Sequence, residues 1–464
     1  MYHIDFNKPI HVHFIGIGGI SMSGLAKILL NKHFTVSGSD NQKSDLTVEL
    51  ACDGCNIMYG QSSENITPDM DLVVYTAAIK DTNPELMRAK ELNIPLLTRA
   101  ELLGQIMTNY RTAINVAGTH GKTTTSSMVS EILLCAGCDP TISIGGILNS
   151  IKGNYRVGSS DIFVTEACEY TNSFLSFNPT VNIILNVQED HLDFFKDIDD
   201  IRHSFRLFCE KLPKDGALII NSDIPDVAYF YKDLACQNII TFGSNPDTSD
   251  YSATDITYDS HGCCSYELIV KGQRQGTITL GVPGVHNVYN SLAAIAAGDL
   301  ENISRDDIRR GLMNFTGAKR RFEVKGTLMP NNVTIVDDYA HHPVEIAATL
   351  NSAANYPHNN LWCVFQPHTY SRTKAFLKDF ALSLNLADKV ILADIYASRE
   401  TDTLGISSQD LADELTALGC EVYYLPSFEK IEDFIRKNCI NNDLLITMGA
   451  GDIVEVGNHL LSHN

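Results

Sequence analysis

Gly118, Gly121, Lys122 and Thr123 have the types and spacing to hold phosphate; they lie in Val116-Ala117-Gly118-Thr119-His120-Gly121-Lys122-Thr123-Thr124-Thr125. In a glycine loop that runs into a helix, backbone N–H groups point at phosphate oxygens and the helix dipole favours an anion. Lys122 would reach the β- and γ-phosphates of a nucleotide, and the Thr123 hydroxyl would ligate Mg²⁺. The run is not the full G-x-x-x-x-G-K-[ST] pattern, because position 116 is valine and Gly118 lies only three residues before Gly121. The bland reading is a glycine turn beside a solvated lysine. A second turn, Gly16-Ile17-Gly18-Gly19-Ile20-Ser21-Met22-Ser23-Gly24, has Asp40 about 22 residues after Gly18. It departs from the dinucleotide fingerprint at Ser21, where the third glycine belongs. That supports a diphosphate-containing nucleotide without identifying NAD; the bland reading is a tight turn with no ligand.

Glu166 and His191 fall at or just past the ends of apolar runs. In an open α/β sheet that edge is where ligands bind. With Thr123 they would give Mg²⁺ few protein ligands and leave positions for phosphate oxygens; His191 would also suit Mn²⁺. Taken singly, Glu166 reads as a surface acid and His191 as a helix N-cap neighbour. The pairs Cys52/Cys55 and Cys135/Cys138 allow a zinc site on paper. Packed thiols in a reducing compartment are the simpler reading for 12 cysteines spread over 464 residues.

These groups need elements to carry them. Apolar runs at 10–15, 35–38, 71–75 and 94–97 alternate with helical stretches at 25–31, from Asn83-Pro84-Glu85, and at 100–107, the pattern of a small α/β domain over 1–109. The phosphate loop opens a second domain, 110–324, with strands at 113–117, 162–166, 181–186 and 217–221 and helices at 126–136 and 202–212. Residues 250–280 alternate and carry Gly and Asp turns, which predicts an antiparallel excursion. Gly284-Val285-His286-Asn287-Val288-Tyr289-Asn290 then opens an alanine-rich helix, 291–298. A third domain, 325–464, has strands at 333–337, 361–366, 389–393 and 443–448 with helices between them, a doubly wound α/β pattern.

The formal charge of −21 argues against a nucleic-acid surface and suits a cytoplasmic enzyme. No apolar run approaches the ~20 residues of a membrane span, and the first nine residues lack a signal-peptide pattern.

The chain resembles the Mur ligases. The resemblance spans the whole chain and rests on 16–24, the 118–125 loop, Glu166-Ala167-Cys168-Glu169, 186–191, 284–290, Arg320-Arg321-Phe322, 337–343, 365–373 and 449–452. It implies a three-domain ligase: a Rossmann-like N-terminal domain, a central P-loop-type ATP-binding domain with the antiparallel excursion, and a C-terminal doubly wound domain. It also implies ATP with Mg²⁺ (Mn²⁺ as an alternative), and most closely the substrates UDP-N-acetylmuramate and L-alanine, with the enzyme a monomer or weak homodimer. Gly18, Gly19, Ser21 and Met22 would lie against the pyrophosphate, and Asp40, Thr76, Ala77 and Ala78 along the same cleft. Gly118, Thr119, His120, Gly121, Lys122, Thr123 and Thr124 would hold ATP, with Asn287 and Asn290 near the adenine. Arg321 and Asp337 would close over the nucleotide. Thr123, Glu166 and His191 would hold the metal. His341 and Arg372 would face the amino acid, with Lys122, His341 and Arg372 serving catalysis and His342 the rival proton acceptor.

Some positions depart from the family pattern: Tyr170-Thr171-Asn172-Ser173 follows the acidic motif, and Thr369 stands where an arginine is frequent. Arg206 falls near the spacing at which related ligases carry a carbamylated lysine, which predicts a metal site without that group. The competing readings are a family member that joins a preformed peptide to the same sugar nucleotide, an NAD-dependent oxidoreductase, and a non-enzymatic ATP-binding module.

Overall fold

A computed structural model describes residues 2–76, 78–398 and 400–462. Three α/β domains are built on separate sheet patterns. In the first, β1 (His11–Ile15), β2 (Thr35–Asp40), β3 (Asn56–Tyr59), β4 (Leu72–Tyr75) and β5 (Leu96–Thr98) form a parallel sheet of order β3-β2-β1-β4-β5. Val12 pairs with Val36 on one side and Leu72 on the other, and all three are buried. Parallel strands need such apolar runs because crossover helices cover their faces. The crossovers are α1 (Ile20–Asn31), α2 (Asp45–Cys52), α3 (Pro84–Glu91) and α4 (Arg99–Met107). Strand order reverses at β1, so the loops after β1 and β4 diverge there and leave a crevice. Helix α1 begins at Ile20, not near residue 25, because Gly19 is already extended (φ −63°, ψ 140°) and ends the turn. Ser21, Met22 and Gly24 therefore belong to its first turns.

The second pattern has β6 (Thr112–Ala117), β7 (Thr141–Leu148), β8 (Gly153–Arg156), β9 (Ile162–Glu166), β10 (Val181–Ile184), β11 (Ala217–Asn221) and β12 (Ile239–Phe242), in the order β12-β11-β10-β6-β9-β7-β8. Every residue of β6 is buried, and it is flanked in parallel by β10 and β9. Helices α5 (Lys122–Cys135), α6 (Ile198–Glu210) and the short α7 (Ala228–Tyr231) belong to this part.

Packing divides the chain into two compact units: Met1–Glu189 with Asp197–Thr241 and Ala296–Ile303, and Asp190–Lys196 with Phe242–Ile295 and Ser304–Asn464. The antiparallel excursion lies in the second unit, as β13 (Tyr251–Tyr258), β14 (Cys263–Val270) and β15 (Gln273–Pro283). Helix α8 (Val285–Leu300) follows, then α9 (Arg305–Asn314). The third sheet contains β16 (Glu323–Leu328), β17 (Val333–Asp338), β18 (Leu361–Phe365), β19 (Lys389–Leu392), β20 (Glu421–Tyr424) and β21 (Leu444–Met448), in the order β16-β17-β21-β18-β19-β20. Only β16 runs antiparallel to its neighbour. Helices α10 (Pro343–Ala353), α11 (Tyr370–Ala375), α12 (Leu377–Leu384), α13 (Ser408–Ala417), α14 (Phe428–Asn438) and α15 (Val454–Ser462) complete it. Along β18 the strand period of two sends Cys363 and Phe365 into one core and Trp362 and Val364 into the other.

Candidate active site

The phosphate loop leaves β6 at Ala117 and enters α5 at Lys122. Gly118 takes φ 145°, and a Cβ there would meet the Leu185 Cβ at 3.0 Å and the Asn186 nitrogen at 3.2 Å. Asn186 clamps the loop: its Oδ1 accepts the His120 N–H (2.8 Å) and its Nδ2 donates to the His120 carbonyl (3.0 Å). The Thr119 Oγ1 accepts the Gln188 N–H at 2.9 Å. Gly121, at φ 83°, is the N-cap of α5 and makes no side-chain cap; neither does Gly19 at α1. By contrast Ser44, Asn83, Thr98 and Asp197 cap α2, α3, α4 and α6. The two glycine turns thus leave helix N–H groups without a side-chain acceptor, which is what a phosphate requires.

The Lys122 ammonium curls over its own loop, donating to the carbonyls of Gly118 (2.5 Å) and Thr119 (3.2 Å) and pairing with Glu169 at 3.0 Å. Burial works to lower its pKa, but the Glu169 carboxylate beside it prevails, and the ammonium is held above its ordinary value. Glu169 belongs to a motif visible in the sequence, yet its pairing with Lys122 was not. The Thr123 hydroxyl donates to Glu166 at 3.1 Å; Ser126 (3.3 Å) and the Gly145 N–H (2.6 Å) bind the other carboxylate oxygen. Thr123 and Glu166 thus come together as an all-oxygen donor pair, which fits a hard ion such as Mg²⁺ that keeps several waters. Among the described residues no group of three or more His, Cys, Asp or Glu side chains forms a metal-holding cluster. His191 belongs to the second unit, at φ 52°, its N–H donating to Asp190. Thr124 lies in the first turn of α5. Arg206 ties α6 to the carbonyls of Tyr229 (2.8 Å) and Lys232 (2.6 Å).

A cleft of about 630 Å³ opens over the crevice of the first sheet, lined among others by Gly19, Asp40, Thr76, Ala78 and Lys80. Four of the residues expected along the sugar nucleotide therefore share one cavity. Ala77 lies outside the described residues. Gly18 serves the cleft indirectly: its N–H donates to Asp40 at 2.9 Å, and a Cβ there would meet the same carboxylate oxygen at 2.8 Å. Ser21 is exposed in the first turn of α1, whereas the Met22 side chain is only 2% exposed and packs into the core, so only its backbone can serve a ligand. Lys80 was missed; as a cation just after Thr76-Ala-Ala-Ile it was the readable signal for an anion there.

In the second unit a chain of aromatic and cationic groups runs from β17 to α11. Arg320 and Arg321 lie over the Tyr339 ring, at 4.9 and 5.3 Å. The rings of Tyr339 and His341, and of His341 and His368, meet edge to face. Arg372 contacts His368 at 3.3 Å and donates to Asp190 at 2.9 Å. Burial opposes ionisation of Asp190, but Arg372 holds its carboxyl well below the usual range. Burial, with Arg372 adding to it and Glu345 opposing, lowers His341 to about 4. Its Nδ1 faces the Tyr339 carbonyl at 3.0 Å, which fixes the proton on Nδ1 and leaves Nε2 as an acceptor. His342 does something else: it is buried, and its Nδ1 accepts the Val344 N–H as the N-cap of α10. Asp337 is fully buried and bound to Arg320 (3.0 Å) and Thr447 (2.7 Å), not to Arg321, which lies 3.8 Å from Glu345. Its carboxylate thus supports the arginine pair from beneath. Asn287 and Asn290 are buried in the first turns of α8, their amides bonded to each other at 3.0 Å. Thr369, where an arginine is frequent, takes φ 65° and donates its N–H to Tyr396.

Three family models match in order: the Mur ligase family catalytic domain over residues 11–111, the Mur ligase middle domain over 116–298, and the Mur ligase glutamate ligase domain over 320–451. A UDP-N-acetylmuramate–L-alanine ligase of Lachnospira eligens is 68% identical over 99% of this chain and 100% of its own length. The chain belongs to the Mur ligase family. A ligase of the same name from Agathobacter rectalis is 58% identical over 99% of this chain and all of its own. Among solved Mur ligases, the UDP-N-acetylmuramate-alanine ligase of Thermotoga maritima superposes with a TM-score of 0.81 at 29% identity, covering 98% of this chain and 99% of that one. The murein peptide ligase of Psychrobacter arcticus shares the fold at a TM-score of 0.69, 24% identity and 98% coverage of both chains.

Proposed function

We propose that this Mur ligase joins L-alanine to the lactyl carboxylate of UDP-N-acetylmuramate at the expense of ATP, in the cytoplasmic synthesis of peptidoglycan precursors, as a monomer or weak homodimer. The observation that carries the reading is the 68% identity, end to end, with the L. eligens ligase of that name. The site's chemistry supports it. The sugar nucleotide lies in the cleft over β1 and β4, and ATP on the phosphate loop. The lactyl carboxylate attacks the γ-phosphate, giving an acyl phosphate and ADP. A carboxylate is already charged, so this step needs no base; it needs positive charge where anions crowd, which Lys122 supplies. Thr123 and Glu166 would hold Mg²⁺, which would add positive charge among the phosphate oxygens; Mn²⁺ would serve similarly. Gly118 to Thr124 hold the phosphates, and Asn287, Asn290, Arg321 and Asp337 serve the nucleotide. The alanine amine then attacks the acyl carbon and phosphate leaves. Nε2 of His341, neutral at pH 7, takes the amine's proton. Arg372 offers its planar fork to the alanine carboxylate.

Phosphate release is the direct test, measured with ATP and Mg²⁺, with and without the sugar nucleotide, across a panel of amino acids. Release that requires both UDP-N-acetylmuramate and L-alanine is expected. Release indifferent to the sugar, release driven by a preformed peptide in place of alanine, or a nicotinamide-linked absorbance change would overturn the reading.

A further inference from the structure

Arg99 opens α4 immediately after β5, at the carboxyl edge of the first sheet. Among the described residues it is the arginine whose guanidinium has no hydrogen-bond or ion-pair partner, although the side chain is half-buried. Its place is adverse twice over. A cation in the first turn opposes the helix dipole. The nearest acid in that turn, Glu101, is already used, accepting the Thr98 N–H at 2.7 Å and hydroxyl at 2.9 Å. The ionisable group near enough to act on the Arg99 charge is Cys168, whose thiol burial keeps protonated, so it supplies no counter-charge. Nor can the helix slide away: a Cβ at Gly104 would run into the Ser176 carbonyl, and the Asn178 amide donates to the Gly104 carbonyl at 2.8 Å. An uncompensated cation is thus fixed beside Cys168, one residue before the Glu169 that holds Lys122. It stands between the edge of the sugar-nucleotide sheet and the phosphate loop.

We propose that Arg99 binds the lactyl carboxylate of the sugar nucleotide and holds it toward the phosphate loop, an inference that rests on the substrate reading above. A guanidinium fork matches a carboxylate's two oxygens, and the ligand supplies the counter-charge that the protein withholds. The test is calorimetric binding of two sugar nucleotides, UDP-N-acetylmuramate and its analogue without the lactyl ether, UDP-N-acetylglucosamine, to wild type, Arg99→Gln and Arg99→Lys. Arg99→Gln should lose about 10- to 100-fold in affinity for the carboxylate-bearing ligand and nothing for the analogue. Arg99→Lys should recover part of the loss. Because the cation is unpaired in the free protein, Arg99→Gln should melt no lower than wild type without ligand, and KM for ATP and alanine should hold. Equal weakening of both ligands, weakening of neither, or a lowered melting temperature of the free variant would overturn the assignment. Failure of wild type to bind either sugar nucleotide would instead sink the substrate reading itself.

Discussion

Under the proposed mechanism Lys122 would serve two anions in turn. In the protein its ammonium is the counter-ion of Glu169, a carboxylate whose side chain is only 3% exposed; in the reaction it must face transferring phosphate. Removing it should therefore cost stability as well as rate. Lys122→Ala should lower kcat by about 10²–10³ or more, and destabilise by about 3–5 kcal/mol because a buried carboxylate loses its partner. Lys122→Ala/Glu169→Gln should regain most of that stability and none of the activity. Denaturant melts and phosphate release together check this; a double variant no more stable than the single one would show the pair to be energetically idle. At this scale the sequence is legible where residue type and spacing imply chemistry unaided, as at Gly118-to-Thr123. It is mute where the meaning lies in a missing partner. Arg99 reads as one more cation on a helix until the fold shows that nothing neutralises it, and Asp190 reads as a surface acid until Arg372 is placed beside it.

Helix α4 shows how elements carry these groups. It seats on the 3₁₀ turn Tyr170–Ser176, which Phe174 anchors by stacking on Phe208 at 4.5 Å and meeting Phe205 edge to face. The close approach passes over Gly104, where an added Cβ meets the Ser176 carbonyl and, at 3.2 Å, the Phe177 Cα. These are backbone atoms and cannot rotate aside, so Gly104→Ala should cost about 1–3 kcal/mol, read as a lower denaturation midpoint. An unchanged midpoint would mean that α4 shifts freely and does not hold Arg99 in place. The strands buried on both sides, β1, β6, β10, β18 and β21, are among those that apolar runs announce. The unannounced strands are mostly at or near sheet edges. Asn56–Tyr59 in β3 and Glu421–Tyr424 in β20 pair on one side only and keep half-exposed polar residues. The hairpin β7–β8 hides for a related reason, since Gly145 and Gly146 interrupt its pattern. Helix starts at α1, α5 and α8 come earlier than periodicity suggests, because glycine rather than a polar cap ends each preceding turn.

Across the whole molecule, the second unit concentrates histidines that burial keeps neutral, and this gives stability a pH dependence. His286, His341 and His368 are each lowered from 6.5 to about 4, chiefly by burial. Arg321 adds to the effect at His286, and Arg372 at His341 and His368; Glu345 opposes it at the first two, Glu400 at His368, and Asp190 at the last two. Between pH 6.5 and 4 the unfolded chain binds protons at these sites that the folded chain does not. Their contribution is therefore complete above pH 6.5 and lost as pH falls toward 4, His286 and His341 each giving up about 1.4 kcal/mol for every pH unit crossed between those two values and the partly exposed His368 less, because solvent screens it. Asp338, raised by burial to about 6, works the other way, because the folded state takes up its proton first; Asp337 is raised in the same direction. Three histidines against two aspartates leave a net loss on acidification. The melting temperature should thus be nearly flat from pH 8 to 7 and fall steadily from 6.5 to 4.5. His286→Gln should shallow that slope, since glutamine has no proton to gain on unfolding. Calorimetric melts at four pH values in that range would decide it. A slope that His286→Gln leaves unchanged would place the acid sensitivity elsewhere, and one that rises on acidification would mean that the buried aspartates outweigh the histidines.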